Sequence, residues 1–101
     1  MSNKIVSVVI VTCGKNGYLA SCLNSLKQQT HHEVEVIIID NSLDHNFSQE
    51  TSQLYPEFKL YPQDRNLYYC EALNLGIRQS RGDFILCLND DLILDKRFIE
   101  K

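Results

Sequence analysis

The chain has 101 residues, which leaves room for one compact domain because domains most often contain about 100–150 residues. Hydrophobic residues make up 44% of it and charged residues 23%, a composition typical of folded domains that excludes an intrinsically disordered chain. The net charge of -3 provides no positive field for a phosphate backbone, which argues against nucleic acid as a partner.

Four short stretches have the residue types of β-strands. Residues 5–11 and 34–39 are rich in β-branched residues and almost continuously apolar, as expected of strands buried on both faces of a parallel sheet. Residues 58–61 are a weaker candidate. Residues 84–88 form a fourth predicted strand, preceded by a Gly-Asp turn.

The stretches between these strands predict helices. The first carries an apolar stripe at helical spacing, made by Tyr18, Leu19, Cys22, Leu23 and Leu26. A more polar helix is predicted over 43–54, with Ser42 or Asp44 as its N-cap, and a third over 71–80, closed by Gly82. The order β-α-β-α-β-α-β predicts an α/β fold, a Rossmann-like three-layer sandwich around a mostly parallel sheet.

Neither the apolar runs nor the cysteines indicate a membrane or secreted protein. The longest apolar runs, 8–11 and 36–39, are far shorter than the ~20 residues that cross a bilayer, and residues 1–4 lead into no signal-peptide core. The four cysteines include no C-x-x-C pair and are predicted to be reduced thiols. We therefore predict a cytoplasmic protein without a transmembrane segment.

Polar residues follow the predicted strands at the ends where a ligand is expected. In open parallel α/β sheets, ligands bind at the carboxyl ends of the strands, where loops and helix N-termini meet. In this chain those positions are 12–14, 40–42, 63–66 and 89–91. Loops are polar in any soluble domain, so the pattern alone leaves a ligand site and an ordinary surface equally open.

The pair Asp90 and Asp91, preceded by Asn89, is the most informative of these segments. Adjacent carboxylates after a buried strand repel one another, and a hard divalent cation with oxygen ligands relieves that repulsion. The pair therefore predicts a Mg²⁺ or Mn²⁺ ion that bridges to substrate phosphates. The alternative is that one of the two aspartates caps a following turn.

Six segments stand in an order and at a spacing that identify a family pattern. They are SVVIVT at 7–12, VIIIDNS at 36–42, NL at 66–67, NLGI at 74–77, RGDFI at 81–85 and LNDD at 88–91. Together they resemble glycosyltransferase family 2, and most of all its rhamnosyltransferase-like branch. The resemblance covers residues 6–98.

The resemblance implies an A-type glycosyltransferase fold that binds a nucleoside diphosphate sugar and a divalent metal ion. It implies that Asp91 ligates the metal ion and that Asp90 lies by the ribose or by metal-bound water. The general base of sugar transfer is implied to lie after this motif, in an acceptor-binding half. We therefore expect residues 1–101 to be a single partial domain that binds the donor, with no catalytic residue of its own and an unknown acceptor.

The nucleotide-binding residues implied by the resemblance lie on all the strand ends. They are Thr12, Cys13, Asp40, Asn41, Asn66, Asn89 and Asp90. Thr12 and Cys13 are expected beside the base, and Asp40 with Asn41 at the base or the ribose. An Asn or Asp side chain can pair with the polar edge of a pyrimidine, which agrees with this placement.

Three positions depart from the family pattern. Cys13 stands where an aromatic residue is common, Tyr68 where glycine usually follows Asn-Leu, and Leu73 where arginine or asparagine often stands. Without the aromatic residue, base stacking, worth about 1–3 kcal/mol in single-stranded nucleic-acid binders, is either lost or replaced by a weaker sulfur contact. Tyr68 and Tyr69 either narrow or cover the donor pocket or pack on the sheet edge.

Two other functions stay open at this level. The departures are compatible with a non-catalytic remnant or accessory module that has kept the fold and lost donor binding. A phosphoacceptor receiver domain also has acidic strand ends, but it needs an acidic pair after the first strand, where this chain has Thr12 and Cys13.

Strand 84–88 is expected at an apolar sheet edge, and such an edge favours a homo-oligomer.

Overall fold

The computed structural model describes residues 5–14, 19–28 and 33–89, and these form a three-layer α/β sandwich. The elements in chain order are β1 (Val6–Thr12), α1 (Leu19–Lys27), β2 (Val34–Asp40), α2 (His45–Leu54), β3 (Lys59–Pro62), α3 (Tyr69–Gln79) and β4 (Phe84–Asn89). The predicted alternation of strands and helices is confirmed, and with it the α/β fold class.

The four strands form one parallel sheet in the order β3-β2-β1-β4. β1 and β2 occupy its centre, and this explains why their sequences lack the alternation of apolar and polar residues seen in half-exposed strands. The two pair over their full length, from Val6 opposite Val34 to Thr12 opposite Asp40.

Helices cover both faces of the sheet, since neighbouring residues of β2 point to opposite faces. Ile38 belongs to a buried cluster with Leu23 of α1, and Phe47 of α2 packs against that cluster. Ile39 belongs to a second cluster with Ala72 of α3. The predicted three layers therefore correspond to α1 and α2 on one face, the sheet, and α3 on the other face.

Gly76 allows α3 to approach the sheet closely. It is one of the buried residues of α3, and a Cβ atom at this position would lie 2.4 Å from Cγ1 of Val9 in β1. Atoms of two side chains do not approach this closely without one of them shifting. The missing side chain at position 76 therefore sets the distance between α3 and β1.

Asp44 is the N-cap of α2, which decides between the two predicted caps. Its Oδ1 atom accepts hydrogen bonds from the backbone N–H groups of Asn46 (3.0 Å) and Phe47 (3.3 Å). These are donors that a helix start leaves without an intrahelical partner.

Tyr18, the predicted first residue of the stripe of α1, lies outside the described residues.

α3 begins and ends earlier than the predicted range 71–80. It begins at Tyr69 because the Glu71 carboxylate accepts a hydrogen bond from the backbone N–H of Tyr68 (3.3 Å), which stabilises the chain entry into the helix. It ends at Gln79, with Ser80 as C-cap. Gly82 therefore does not close the helix.

None of the described helices is long and apolar enough to cross a membrane. The longest of them, α3, has 11 residues, about half of the ~20 that a bilayer crossing requires. The cytoplasmic location stays a prediction.

The two outer strands of the described sheet differ in how their free edges are protected. β3 carries Lys59 and Pro62, residue types that hinder pairing with a further strand. β4 has neither lysine nor proline, and its Phe84 and Ile85 side chains are 57% and 43% exposed. In the described residues β4 is thus an outer strand with two exposed apolar side chains, while the free apolar edge at 84–88 and the homo-oligomer stay predictions.

Glu35 joins neighbouring strands at the end of the sheet where the strands begin. Its Oε1 atom accepts hydrogen bonds from Ser7 Oγ (2.7 Å) and from the backbone N–H of Arg81 (2.9 Å). Its Oε2 atom accepts one from Lys59 Nζ (2.6 Å). Burial raises the pKa of this carboxyl group, but the hydrogen bonds from Lys59, Ser7 and Arg81 outweigh it, so that the pKa lies below its ordinary value.

Replacing Glu35 by glutamine is expected to make the stability of the chain less dependent on pH. A carboxyl group whose pKa is lowered by folding stabilises the folded chain above its unfolded pKa, and this stabilisation is lost as the pH falls through its folded pKa. Glu35→Gln should cost roughly 1 kcal/mol at pH 7, because the ion pair with Lys59 is lost. Thermal unfolding at a series of pH values from 7 to 3 should show the wild-type and Glu35→Gln curves converging at the acid end.

The matched control is Glu50→Gln, which changes an exposed carboxyl group of α2 and should leave the melting temperature at its wild-type value. A difference between wild type and Glu35→Gln that is the same at pH 3 and at pH 7 would contradict the role of the ionised carboxylate.

Candidate functional site

The carboxyl ends of three strands lie side by side and bring the polar segments together. Thr12 at the end of β1 lies opposite Asp40 at the end of β2, and Asp40 lies opposite Pro62 at the end of β3. Two backbone hydrogen bonds continue this order beyond the strands. Asn41 N–H donates to the Thr12 carbonyl (2.8 Å), and Gln63 N–H donates to the Asp40 carbonyl (3.0 Å).

The loop after β1 packs on the loop after β2. Thr12 is buried, and its Oγ1 atom accepts a hydrogen bond from the backbone N–H of Gly14 (3.0 Å). Gly14 has a φ angle of 72°, and a Cβ atom at this position would lie 2.8 Å from Cβ of Ser42. The two residues predicted beside the base differ in exposure: Cys13 is exposed, whereas Thr12 is buried.

Asp40 is fully buried and holds the start of the next loop and helix. Its Oδ1 atom accepts a hydrogen bond from the backbone N–H of Ser42 (2.9 Å), and its Oδ2 atom accepts one from the hydroxyl group of Ser48 in α2. The contact with Ser48 was not predicted, because this serine stands among other polar residues of α2 and no pattern distinguishes it.

Asn41 is also buried, and its side chain contacts the segment that leads into α3. Its Nδ2 group donates a hydrogen bond to the Leu67 carbonyl (3.1 Å), and its Oδ1 atom accepts one from the Leu67 backbone N–H (3.3 Å). One side-chain amide therefore satisfies both backbone polar groups of Leu67, 26 positions along the chain. No sequence signal predicted Leu67 as the partner.

The residues on either side of Leu67 are exposed. Asn66 faces solvent, Tyr68 is 83% exposed, and Tyr69 is 52% exposed. A side chain that is 83% exposed does not pack on the sheet, so the interpretation of Tyr68 as an edge-packing residue is wrong. A role of the two tyrosines in narrowing or covering a donor pocket stays a prediction.

An ion pair connects this segment to the first turn of α3. Arg65 Nη2 lies 2.5 Å from Glu71 Oε2, and Arg65 Nη1 lies 3.4 Å from Glu71 Oε1. The hydrogen bond from Arg65 lowers the pKa of the Glu71 carboxyl group below its ordinary value. Glu71 also accepts from the Tyr68 N–H, so one carboxylate contacts both ends of the chain segment that follows Asp64.

A cavity of about 510 Å³ opens between α2 and the end of β3. Its lining includes Asp44, Asp64 and Gln63, together with Ser48, the hydrogen-bond partner of Asp40. The described residues that line it include carboxylates and no lysine or arginine. Such a lining favours hydroxyl groups as ligands over phosphate groups.

The predicted metal ligands cannot be placed in the same way. Asn89 ends β4, where it lies opposite Val11 of β1. Asp90 and Asp91 lie outside the described residues, and their metal and ribose roles stay predictions. Within residues 5–14, 19–28 and 33–89, no three His, Cys, Asp or Glu side chains come together in a way that could hold a metal ion.

Comparison with known sequences identifies the family of this chain. Residues 7–101 match the model of the family described as Glycosyl transferase family 2. The chain belongs to glycosyltransferase family 2. An uncharacterized glycosyltransferase of Haemophilus influenzae is 31% identical to this family 2 chain over 87 residues, which are 86% of the chain and 29% of the relative.

A second relative has a similar extent. The putative glycosyltransferase EpsH of Bacillus subtilis is 29% identical over 104 residues, which cover 100% of the family 2 chain and 30% of the relative. The chain therefore spans about 30% of the length of these relatives.

Solved structures share the fold of this family 2 chain. The structure of residues 1–349 of S. aureus TarS in complex with UDP-GlcNAc has a TM-score of 0.81 at 22% identity, covering 95% of this chain and 29% of the TarS chain in that structure. The mannosyltransferase PcManGT of Pyrobaculum calidifontis, in complex with GDP-Man and Mn²⁺, has a TM-score of 0.75 at 15% identity, covering 95% and 30%. The A-type glycosyltransferase fold implied by the sequence is confirmed.

Proposed function

We propose that this chain is the donor-binding part of a glycosyltransferase and binds a nucleoside diphosphate sugar at the carboxyl edge of its sheet. The observation that carries the proposal is the set of buried polar side chains at this edge, in a chain of family 2. Thr12, Asp40 and Asn41 are buried there, and each is hydrogen-bonded to a loop of the edge. Burying a polar group costs free energy unless the group is hydrogen-bonded. The hydrogen bonds of these three side chains hold in place the loops that would surround a ligand.

Burial separates the candidate residues into two groups. Cys13 and Asn66 are exposed and can contact a nucleotide directly. Thr12 and Asp40 are buried, so we assign them to the floor of the site beneath the base and the ribose. The cavity beside α2 adds carboxylate and amide groups that suit the hydroxyl groups of a ribose or a sugar.

The metal part of the proposal rests on the sequence and on other proteins. We assign a Mg²⁺ or Mn²⁺ ion to Asp91, with Asp90 at the ribose or at metal-bound water and Asn89 beside the nucleotide. A divalent ion in such a site neutralises the diphosphate as it leaves. The Mn²⁺ and GDP-Man in PcManGT, and the UDP-GlcNAc in TarS, support an ion and a nucleotide sugar of this type. The base, the sugar and the rhamnosyltransferase-like branch stay predictions.

Thermal unfolding with and without nucleotides tests donor binding. UDP, TDP or GDP, added with Mn²⁺, should raise the melting temperature. A ligand at 100 times its dissociation constant stabilises by about 2.7 kcal/mol, which shifts the melting temperature of so small a domain by roughly 10–20 °C. No shift with any of the three nucleotides would overturn donor binding and favour the non-catalytic accessory module.

Asp91→Ala separates the metal from the nucleotide in the same experiment. The part of the shift that depends on Mn²⁺ should disappear in this variant, and a shift that survives would overturn the metal assignment. Glu33→Ala is the matched control, because it removes an exposed carboxylate just before β2, at the end of the sheet opposite the proposed site. It should keep the Mn²⁺-dependent shift of the wild type.

A further inference from the structure

The side chain of Asn41 takes the place of a strand partner beyond the end of the sheet. β3 ends at Pro62, and the last backbone link between this chain segment and β2 is the bond from Gln63 N–H to the Asp40 carbonyl. Beyond this point the segment leaves the sheet, and Leu67 is not part of any strand. Asn41 bonds to both backbone groups of Leu67, as a neighbouring peptide group would in a ladder.

Asn41 is itself held in place, so that it can hold Leu67. Its backbone N–H donates to the Thr12 carbonyl (2.8 Å), and its side chain is buried. A buried amide with both ends hydrogen-bonded has little freedom to move. Asn41 therefore holds Leu67 at a fixed position relative to β1 and β2, the two central strands of the sheet.

The contact fixes which way the neighbouring side chains point. Leu67 packs against the buried cluster that includes Ile39, while Asn66 and Tyr68 on either side of it are exposed. The Arg65–Glu71 pair is exposed to solvent and is a weaker restraint on this segment. The contact at Asn41 is thus a stronger polar restraint on residues 64–68 than this ion pair, and it acts together with the packing of Leu67.

We infer that Asn41 is a positioning residue, which fixes the segment 64–68 so that Asn66 and Tyr68 frame the nucleotide. This role differs from the direct contact with base or ribose that the family resemblance implies for Asn41. The inference rests on the proposed donor binding. Its first consequence, restraint of the segment, needs no nucleotide and can be measured independently.

Asn41→Ala tests the inference with two measurements on the full chain. Hydrogen exchange should become faster at the amides of 65–68 and stay unchanged in the β1–β2 ladder. Nucleotide affinity should be measured with Mn²⁺ and with whichever of UDP, TDP and GDP most stabilises the wild type. It should fall about tenfold, because the loss of two modest hydrogen bonds leaves the segment 64–68 to be ordered when the nucleotide binds. Gln53→Ala, which removes an exposed amide of α2, should leave both values unchanged.

The other outcomes each overturn a defined statement. Weaker binding with unchanged exchange at 65–68 would show that Asn41 contacts the nucleotide directly, and it would overturn the positioning role. Faster exchange with unchanged affinity would overturn the link between the segment and the nucleotide. If no nucleotide binds the wild type, the proposed function itself fails, whatever the exchange rates show.

Asn41→Asp provides a second variant in case the alanine variant does not fold. It keeps the size of the side chain and an acceptor for the Leu67 N–H, but it puts an acceptor oxygen where the wild type has the donor to the Leu67 carbonyl, so that this one bond is lost and replaced by repulsion. The same two changes, faster exchange at 65–68 and weaker nucleotide binding, are expected. Wild-type values in both measurements would overturn the inference.

Discussion

Replacing Asp40 by alanine is expected to destabilise the chain by about 3 kcal/mol. The side chain is fully buried, and its loss leaves the Ser42 N–H without its acceptor and the Ser48 hydroxyl group with only the Asp44 carbonyl (3.2 Å). A buried donor left without a partner costs about 1–3 kcal/mol, and the cavity adds to that cost. Thermal unfolding should therefore show a melting temperature lower by about 15 °C.

Asp40→Asn and Asp64→Ala are the matched variants. Asp40→Asn keeps the shape of the side chain and an acceptor for the Ser42 N–H, so it should cost well under half as much. Asp64→Ala removes an exposed carboxylate from the same edge of the sheet and should leave the melting temperature unchanged. If Asp40→Ala unfolds at the same temperature as Asp64→Ala, the buried carboxylate does not hold the loop and α2 together.

Replacing Gly76 by alanine is expected to destabilise the chain by about 2 kcal/mol, although alanine is the better helix former. Helix propensity alone favours alanine by about 1 kcal/mol. Against this stands the distance of 2.4 Å from the new Cβ atom to Cγ1 of Val9, a buried side chain with a stiff χ1 angle. Overpacking of a dense core costs about 1–3 kcal/mol, and at this distance we expect the upper end.

Asn74→Ala isolates the propensity effect on the same helix. Asn74 is exposed in α3, so this variant gains propensity without a clash and should be more stable than wild type by about 0.5 kcal/mol. Urea unfolding of the two variants should give changes of opposite sign. A Gly76→Ala variant that is also stabilised would show that α3 can move away from β1 without loss.

The fold could be predicted from the sequence because its signals are local and repeated. The continuous β-branched runs of β1 and β2 indicated central parallel strands, and the stripe that includes Leu23 indicated the covering helix. The start of α3 was predicted at residue 71 instead of Tyr69, because the bond from Tyr68 N–H to Glu71 depends on the three-dimensional path of the chain entering the helix.

The candidate site could be predicted only as a set of positions. That Thr12, Asp40 and Asn41 meet at one edge follows from parallel pairing and strand length. That Asp40 contacts Ser48 and Asn41 contacts Leu67 does not, because these contacts join distant segments through side-chain geometry. The sequence therefore indicated which residues belong to the edge, and burial separates those that touch solvent from those that hold loops.

The hydrogen bonds of Glu35 have a consequence for redesign. The Ser7 contact of Glu35 lies five residues before Thr12 along β1, a separation of ~17 Å at ~3.3 Å per residue. The polar contacts that join the strands at one end of the sheet are thus remote from the end that we assign to the ligand. We expect that loops such as 63–66 can be exchanged with those of a relative while the opposite end of the sheet keeps its contacts.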